Sequence, residues 1–86
     1  MNQPFVFVID DDESICRSLR RLIQSVGLHV RTFTSGNDFL SQGCQNVPGC
    51  LVLDVRMPEI DGLEIQQRLA DSGSTMPIIF MSAHED

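Results

Sequence analysis

The chain has 86 residues, 42% of them hydrophobic, and a formal net charge of −6 at pH 7. This length allows one domain, residues 1–86, which buries only roughly 60 to 65% of its unfolded surface. The acidic balance argues against nonspecific binding of nucleic acid, and no apolar stretch approaches the roughly 20 residues of a membrane span. We expect a cytoplasmic globular protein that contacts DNA only through another domain and does not enter a membrane.

The first predicted elements are a strand and an amphipathic helix. Phe5–Ile9 is a continuous apolar run, which is typical of a strand buried on both faces. Acidic residues 11–13 then favour a helix N-terminus, and Gly27 is a helix stop. Between them a predicted inward stripe follows the 3.6-residue period. Its members are Ile15, Leu19, Leu22, Ile23 and Val26.

A second strand and a short helix follow. His29–Phe33 alternates polar and apolar residues, which predicts a half-exposed edge strand. Residues 35–41 predict a short helix with Phe39 and Leu40 directed inward. Residues 42–49 contain two glycines and one proline and predict a surface loop.

The last third of the chain repeats the alternation. Residues 50–53 predict a third strand, residues 62–70 a helix, and residues 76–81 a fourth strand that is apolar on both faces. The helix carries Leu63, Ile65 and Leu69. Strands alternating with helices predict an α/β fold with a doubly wound parallel sheet covered on both faces.

Three aspartates follow apolar strands. Asp10 and Asp11 come after the first strand, and Asp54 comes after the third. Ligands of open α/β sheets bind beyond the carboxyl ends of the strands, so these carboxylates converge if the two strands are neighbours. Carboxylates that lie close together repel one another unless a cation joins them, and Mg²⁺ prefers oxygen ligands. The sequence therefore predicts a magnesium site and phosphate chemistry.

Three segments resemble a known family, the receiver domain of two-component response regulators. They are residues 8–14 (VIDDDES), 51–62 (LVLDVRMPEIDG) and 77–84 (PIIFMSAH). The sequences of these segments are most similar to those of FixJ-type receivers, which are joined to helix-turn-helix output domains. The resemblance implies a flavodoxin-like receiver fold with strand order 2-1-3-4. The fifth strand, with its lysine, and the last two helices of the family fold have no counterpart in these 86 residues, so we expect a receiver incomplete at its C-terminus.

The resemblance also implies roles for individual residues. Asp54 is the expected phosphoacceptor, phosphorylated by a sensor histidine kinase. Asp11, Asp54 and the backbone carbonyl of Arg56 are the expected Mg²⁺ ligands, with Asp10 acting through a water molecule. Ser82 is the expected switch hydroxyl. All six basic residues are arginines, so the family's lysine is missing and we expect slow phosphotransfer.

Two other functions stay open at this point. One is a non-phosphorylated adaptor that keeps the receiver surface and binds a protein partner. The other is a haloacid-dehalogenase-like phosphatase, because an apolar strand followed by Asp10-x-Asp12 resembles the nucleophile and acid motif of that family. Whatever the function, the apolar strand at residues 76–81 predicts self-association through an unpaired sheet edge.

Overall fold

The computed structural model describes residues 3–43, 46–55, 57 and 60–81. Within these described residues, four strands alternate with three helices. In chain order they are β1 (Phe5–Ile9), α1 (Glu13–Ser25), β2 (His29–Phe33), α2 (Gly36–Ser41), β3 (Gly49–Asp54), α3 (Gly62–Asp71) and β4 (Ile78–Met81). The predicted alternation of strand and helix is confirmed.

The strands form one parallel sheet in the order β2-β1-β3-β4. Phe5 pairs with His29 on one side and with Gly49 on the other, so β1 lies in the interior of the sheet. The apolar run of β1 and the alternating pattern of β2 match these interior and edge positions. The α/β class and the predicted order 2-1-3-4 are both confirmed.

The main hydrophobic core lies on the sheet face that packs against α2 and α3. Nine buried residues form this core, and three of its rings meet edge to face. The ring centroids are 5.6 Å apart for Phe7 and Phe39, and 5.4 Å apart for Phe33 and Phe39. The buried members are Phe7, Ile9, Phe33, Phe39, Leu51, Leu53, Ile60, Ile65 and Leu69.

Helix α1 covers only part of the opposite face, and here the predicted inward stripe is partly wrong. Leu22 is 62% exposed and Val26 is 67% exposed, while Cys16 is buried. The helix contacts β1 and β2, at one side of the sheet, so its buried line runs through Cys16 and the half-buried Leu19 and Ile23. Periodicity correctly predicts the helix, but the buried face is centred nearer Cys16 than the predicted stripe, which includes the exposed Leu22 and Val26.

Of the three large apolar residues on α3, Ile65 and Leu69 enter the core, whereas Leu63 is 60% exposed. One further expectation needs correction. The fourth strand begins at Ile78, two residues later than predicted. Its pairing with β3 starts at the Pro77 carbonyl, which accepts the Leu51 N–H at 2.9 Å. The strand does not begin earlier because proline has no N–H with which to extend the ladder.

Helix α1 ends where the sequence predicts. Gly27 has a φ of +87°, a left-handed conformation that favours glycine, and its N–H donates to the Gln24 carbonyl at 2.9 Å. Among the described residues, no helix has the length and apolarity needed to cross a bilayer.

Candidate metal centre

Three carboxylates meet at the carboxyl edge of the sheet. Because β1 and β3 are parallel neighbours with Ile9 opposite Leu53, the residues that end them lie side by side. One carboxylate oxygen from each of Asp10, Asp11 and Asp54 lies within 4.8 Å of the others. The structure thus brings together the three aspartates that the sequence singles out, which we call the acid cluster.

Asp10 is the most buried member of the acid cluster. Its residue is 1% exposed, and its Oδ1 accepts the Asp12 N–H at 2.9 Å. Its Oδ2 is buried and has no hydrogen-bond partner in the described part of the chain. Burial raises the pKa of Asp10, and the charges of Asp54 and Asp11 raise it further. A buried carboxylate oxygen without a partner is costly to keep charged unless a cation reaches it.

Asp12 caps helix α1 and is not a member of the acid cluster. It is the N-cap of α1, and its Oδ1 accepts the Ser14 N–H at 2.9 Å and the Ser14 hydroxyl at 2.7 Å. These bonds, with a weaker one from the Ile15 N–H, lower the pKa of the Asp12 carboxyl. The capping bonds hold the start of α1 directly after the two acidic residues of the site.

Asp54 is the last residue of β3 and is 9% exposed. The main chain that follows it is held by hydrogen bonds to β4 and α3. The next residue, Val55, donates its N–H to Met81 at 3.2 Å and accepts the Gly62 N–H at 3.0 Å. A Cβ on Gly62 would lie 3.1 Å from the Asp54 carbonyl oxygen and 3.3 Å from the Phe80 ring. Glycine at this position therefore lets the start of α3 approach the end of β3.

Cys16 is a neighbour of the acid cluster that sequence reasoning does not place there. Its thiol lies 3.3 Å from the Asp10 carbonyl oxygen and 3.6 Å from the Phe33 carbonyl oxygen, where it donates a weak hydrogen bond. Desolvation raises the pKa of the thiol. Cys16 is a buried free thiol, and Cys50 is a half-buried one. No sequence signal links Cys16 to the ends of two strands, because that contact depends on how α1 docks.

The remaining predicted site residues lie outside the described residues: these are Arg56, whose carbonyl is an expected ligand, and Ser82, the expected switch hydroxyl. The described part supplies clustered, mostly buried carboxylate oxygens with one unsatisfied atom. Such a donor set suits a hard divalent cation and does not suit a soft metal that prefers sulfur or imidazole.

The chain matches known proteins over nearly its whole length. Residues 6–86 match the family described as the response regulator receiver domain. The response regulator protein TmoT of Ectopseudomonas mendocina is 46% identical over 81 residues, which are 94% of this chain and 37% of TmoT. This chain therefore spans little more than a third of that relative.

Solved structures match the fold as well. The response regulator StyR superposes with a TM-score of 0.91 at 44% identity, over 98% of this chain and 42% of StyR. FixJ-N superposes with a TM-score of 0.88 at 31% identity, over all of this chain and 69% of FixJ-N. The expected resemblance to FixJ-type receivers is confirmed, and the chain belongs to the family of response regulator receiver domains.

Proposed function

We propose that residues 1–86 form one receiver domain that accepts a phosphoryl group on Asp54 in a Mg²⁺-dependent reaction. The observation that carries the proposal is the acid cluster, whose three carboxylate oxygens lie within 4.8 Å of one another beside a buried oxygen that has no partner. Receiver domains are in general signal transducers and not enzymes, so the phosphorylated protein itself is the output.

The donor set fits Mg²⁺. We assign Asp11, Asp54 and the carbonyl of Arg56 as its ligands, and we assign Asp10 a supporting role through a water molecule. When bound, the ion offsets the repulsion between the carboxylates and an incoming anionic phosphoryl group. The unsatisfied Oδ2 of Asp10 supports a cation in the acid cluster, because no described group donates a hydrogen bond to that atom and a charged oxygen there is costly without a positive charge nearby.

In the proposed reaction one Asp54 oxygen attacks the phosphorus of a phosphohistidine. A new O–P bond forms, the P–N bond breaks, and the imidazole leaves with the bonding electron pair. Asp54 is suited to this role because it is anchored at a strand end with its main chain held by the neighbouring turn. We assign Ser82 as the hydroxyl that contacts the phosphoryl group after transfer.

The partners follow from the family. We propose a sensor histidine kinase as phosphodonor, a cytoplasmic location, contact with DNA only through an output domain, and no contact with a membrane. StyR and TmoT are both named as response regulators, which supports the proposed link to a kinase. Self-association through residues 76–81 belongs to the same proposal. A non-phosphorylated adaptor would share the fold and the partner surface but would accept no phosphate.

The test is covalent labelling with acetyl phosphate or phosphoramidate in the presence of Mg²⁺, followed by intact-mass analysis. The expected result is one phosphate adduct, abolished by Asp54→Asn and by removal of Mg²⁺. Asp71→Asn is the matched control, since it removes an exposed carboxylate at the end of α3 and should leave the adduct unchanged.

Other outcomes separate the competing functions. An adduct that persists in Asp54→Asn would show that another residue is the nucleophile. Steady release of inorganic phosphate with turnover would support a phosphatase of the haloacid-dehalogenase type. A folded protein that accepts no phosphate under these conditions would support the adaptor.

A further inference from the structure

A groove separates α1 from the end of β2, on the sheet face opposite the main core. Its volume is about 240 Å³, and the aspartates of the acid cluster are not among the residues that line it. The lining consists of Glu13, Cys16, Arg17, Arg20, Thr32 and Thr34.

The groove is open because a short side chain forms its floor. Cys16 is 5% exposed, and its thiol is directed at the carbonyl oxygens of Asp10 and Phe33. A longer side chain at this position of α1 would extend into the space between the helix and the strand. Two exposed arginines, Arg17 and Arg20, stand one helical turn apart on one wall.

The positive charge of this wall is not neutralised by an ion pair. Arg17 and Arg20 make no salt bridge with any described residue, in contrast to Arg68, which pairs with Glu64 at 3.1 Å. Beyond Glu13, α1 contains no acidic residue. One acidic residue, Glu13, lines the groove. Two more lie near it: Asp12, whose carboxylate interacts electrostatically with Arg17, and Asp10, whose charge acts on the Cys16 thiol.

Two threonines form the opposite wall. Thr32 is half-buried in β2, and the exposed Thr34 follows that strand, so two arginines and two threonines line one concave space. Guanidinium groups bind phosphate oxygens with charge-assisted, often bidentate, hydrogen bonds. The oxygens of a phosphate point to the corners of a tetrahedron, so one phosphate can accept hydrogen bonds from donors on both walls at once.

We propose that this groove is a low-affinity binding site for a phosphate-type oxyanion, held by Arg17 and Arg20 with Thr32 and Thr34. Glu13 and the nearby carboxylates of Asp12 and Asp10 oppose anion binding, so the affinity is low. The acidic groups beyond the Debye length of roughly 8 Å at physiological salt, which make up the rest of the net charge of −6, are largely screened. The proposal is independent of phosphotransfer to Asp54, because no member of the acid cluster lines the groove.

The test is an NMR titration of the metal-free 86-residue protein with inorganic phosphate, at constant pH and at an ionic strength held constant with sodium chloride. Saturable shifts are expected at the Thr32 and Thr34 amides and at the Arg17 and Arg20 side chains, with a dissociation constant of roughly millimolar order. Leaving out the metal keeps the acid cluster from recruiting phosphate.

Variants on one helix make the test specific. Arg17→Gln and Arg20→Gln should each weaken binding by about fivefold or more, as expected for loss of a charge-assisted hydrogen bond. Arg21→Gln is the matched control, because this arginine is equally exposed on α1, carries the same charge and does not line the groove. Glu13→Gln should tighten binding by removing the one carboxylate in the lining.

Two results would overturn the proposal. The first is a set of shifts that rise linearly with phosphate and never saturate. The second is an equal loss of affinity in Arg17→Gln and Arg21→Gln, which would indicate general charge attraction and no site. Phenyl phosphate as a second probe then distinguishes a free ion from a phosphate group on a larger molecule. If phenyl phosphate competes with inorganic phosphate, the groove accepts a phosphate group carried on a larger molecule. If phenyl phosphate does not compete, the groove binds the free ion.

Discussion

Asp10 shows how a single residue can oppose folding and yet suit function. It lies at the end of an interior strand, where its Oδ1 is satisfied by the Asp12 N–H and its Oδ2 is not satisfied by any described group. Burial raises the pKa of this carboxyl, so folding favours its protonated form relative to the unfolded chain. At neutral pH without metal, the charged form costs stability that a cation would recover.

The first prediction is that Asp10→Asn stabilises the metal-free protein at neutral pH. Because the folded-state pKa is raised, the stability contribution of Asp10 is fully present below its unfolded pKa and is lost as the pH rises through the folded pKa. Replacing a buried, unsatisfied charge by a neutral amide should gain on the order of 1 kcal/mol or more. Urea unfolding of both proteins in EDTA measures the difference.

The same variant has a built-in pH control. The gap in unfolding free energy between Asp10→Asn and the original protein should shrink as the pH falls and Asp10 becomes protonated. Saturating Mg²⁺ should also reduce the gap, because the ion binds more tightly to, and so stabilises more, the protein that keeps the Asp10 carboxylate. A gap that stays constant across acid and neutral pH would contradict this account of Asp10.

The second prediction concerns Asp11, the exposed member of the acid cluster. Asp11→Asn should weaken Mg²⁺ binding by roughly tenfold or more, the effect of losing one charged oxygen ligand worth about 1.4 kcal/mol or more. Titration of amide resonances at Asp10, Asp11 and Asp54 with Mg²⁺ measures the affinity. Asp38→Asn, on the exposed surface of α2, should leave it unchanged. Equal affinities for Asp11→Asn and the original protein would remove Asp11 from the ligand set.

At this scale the sequence predicts the acid cluster well and its surroundings poorly. Two aspartates after one strand and one at the end of another suffice to predict convergence, since parallel neighbours end at the same edge. The Cys16 contacts with two carbonyl oxygens depend on the rotation of α1 about its axis, which the sequence leaves open. The ligand roles of Asp10, Asp11, Asp54 and Arg56 and the switch role of Ser82 stay predictions.

The helices show where a periodic pattern succeeds and where it fails. Periodicity predicts that α1 and α3 form, and their caps agree: Asp12 caps α1, and Asp61 caps α3 by accepting the Glu64 N–H at 2.9 Å. Which apolar residues become buried is decided by the neighbours of each helix. Leu22, Val26 and Leu63 fit the pattern yet face solvent, because in the described part of the fold no element lies over them.

The third prediction uses two leucines of the same helix. Leu69 is 3% exposed within the main core and Leu63 is 60% exposed. Leu69→Ala should lower the free energy of unfolding by roughly 2 to 4 kcal/mol through lost burial and a residual cavity. Leu63→Ala, with the same change in volume and helix propensity, should cost less than about 0.5 kcal/mol. Chemical denaturation compares the pair, and similar losses for both would show that α3 packs in another orientation.

The topology of the whole molecule follows from a few simple rules. Alternation of strands and helices predicts parallel pairing, and the apolar character of the first strand predicts an interior position. The order 2-1-3-4 came from resemblance to the receiver family, and the register of β1 between β2 and β3 confirms it. The apolar pattern places the start of β4 two residues too early, because it continues through Met76 while Pro77 has no N–H with which to extend the ladder with β3.

The fourth prediction concerns the outer edge of β4. This strand pairs with β3 on one side only within the described sheet, and its residues Ile79 and Phe80 are 55% and 38% exposed. Residues 75–81 carry no charge, so none of the usual charged side chains protects this edge. We expect the 86-residue protein to self-associate by antiparallel pairing of β4 with β4 of a second copy.

The expected dimer is weak. Full burial of a large apolar side chain contributes roughly 1.5 to 3 kcal/mol, and these side chains are already partly buried. Association itself costs an estimated 4 kcal/mol or more, so we expect dissociation constants in the high micromolar range or above. Because each copy carries a net charge of −6, added salt should strengthen the dimer by screening the repulsion.

Sedimentation velocity over a wide range of protein concentrations, at low and at high salt, tests the β4 dimer. Ile79→Lys places a charge on the proposed interface and should restore a monomer at every concentration. Leu63→Lys is the matched control, since Leu63 is similarly exposed, at 60%, but belongs to α3 and should leave association unchanged. If both lysine variants reduce association equally, general solubility explains the effect and the β4 interface is wrong. A protein that stays monomeric at every concentration and salt level, with slow hydrogen exchange throughout residues 78–81, would likewise contradict pairing through this edge.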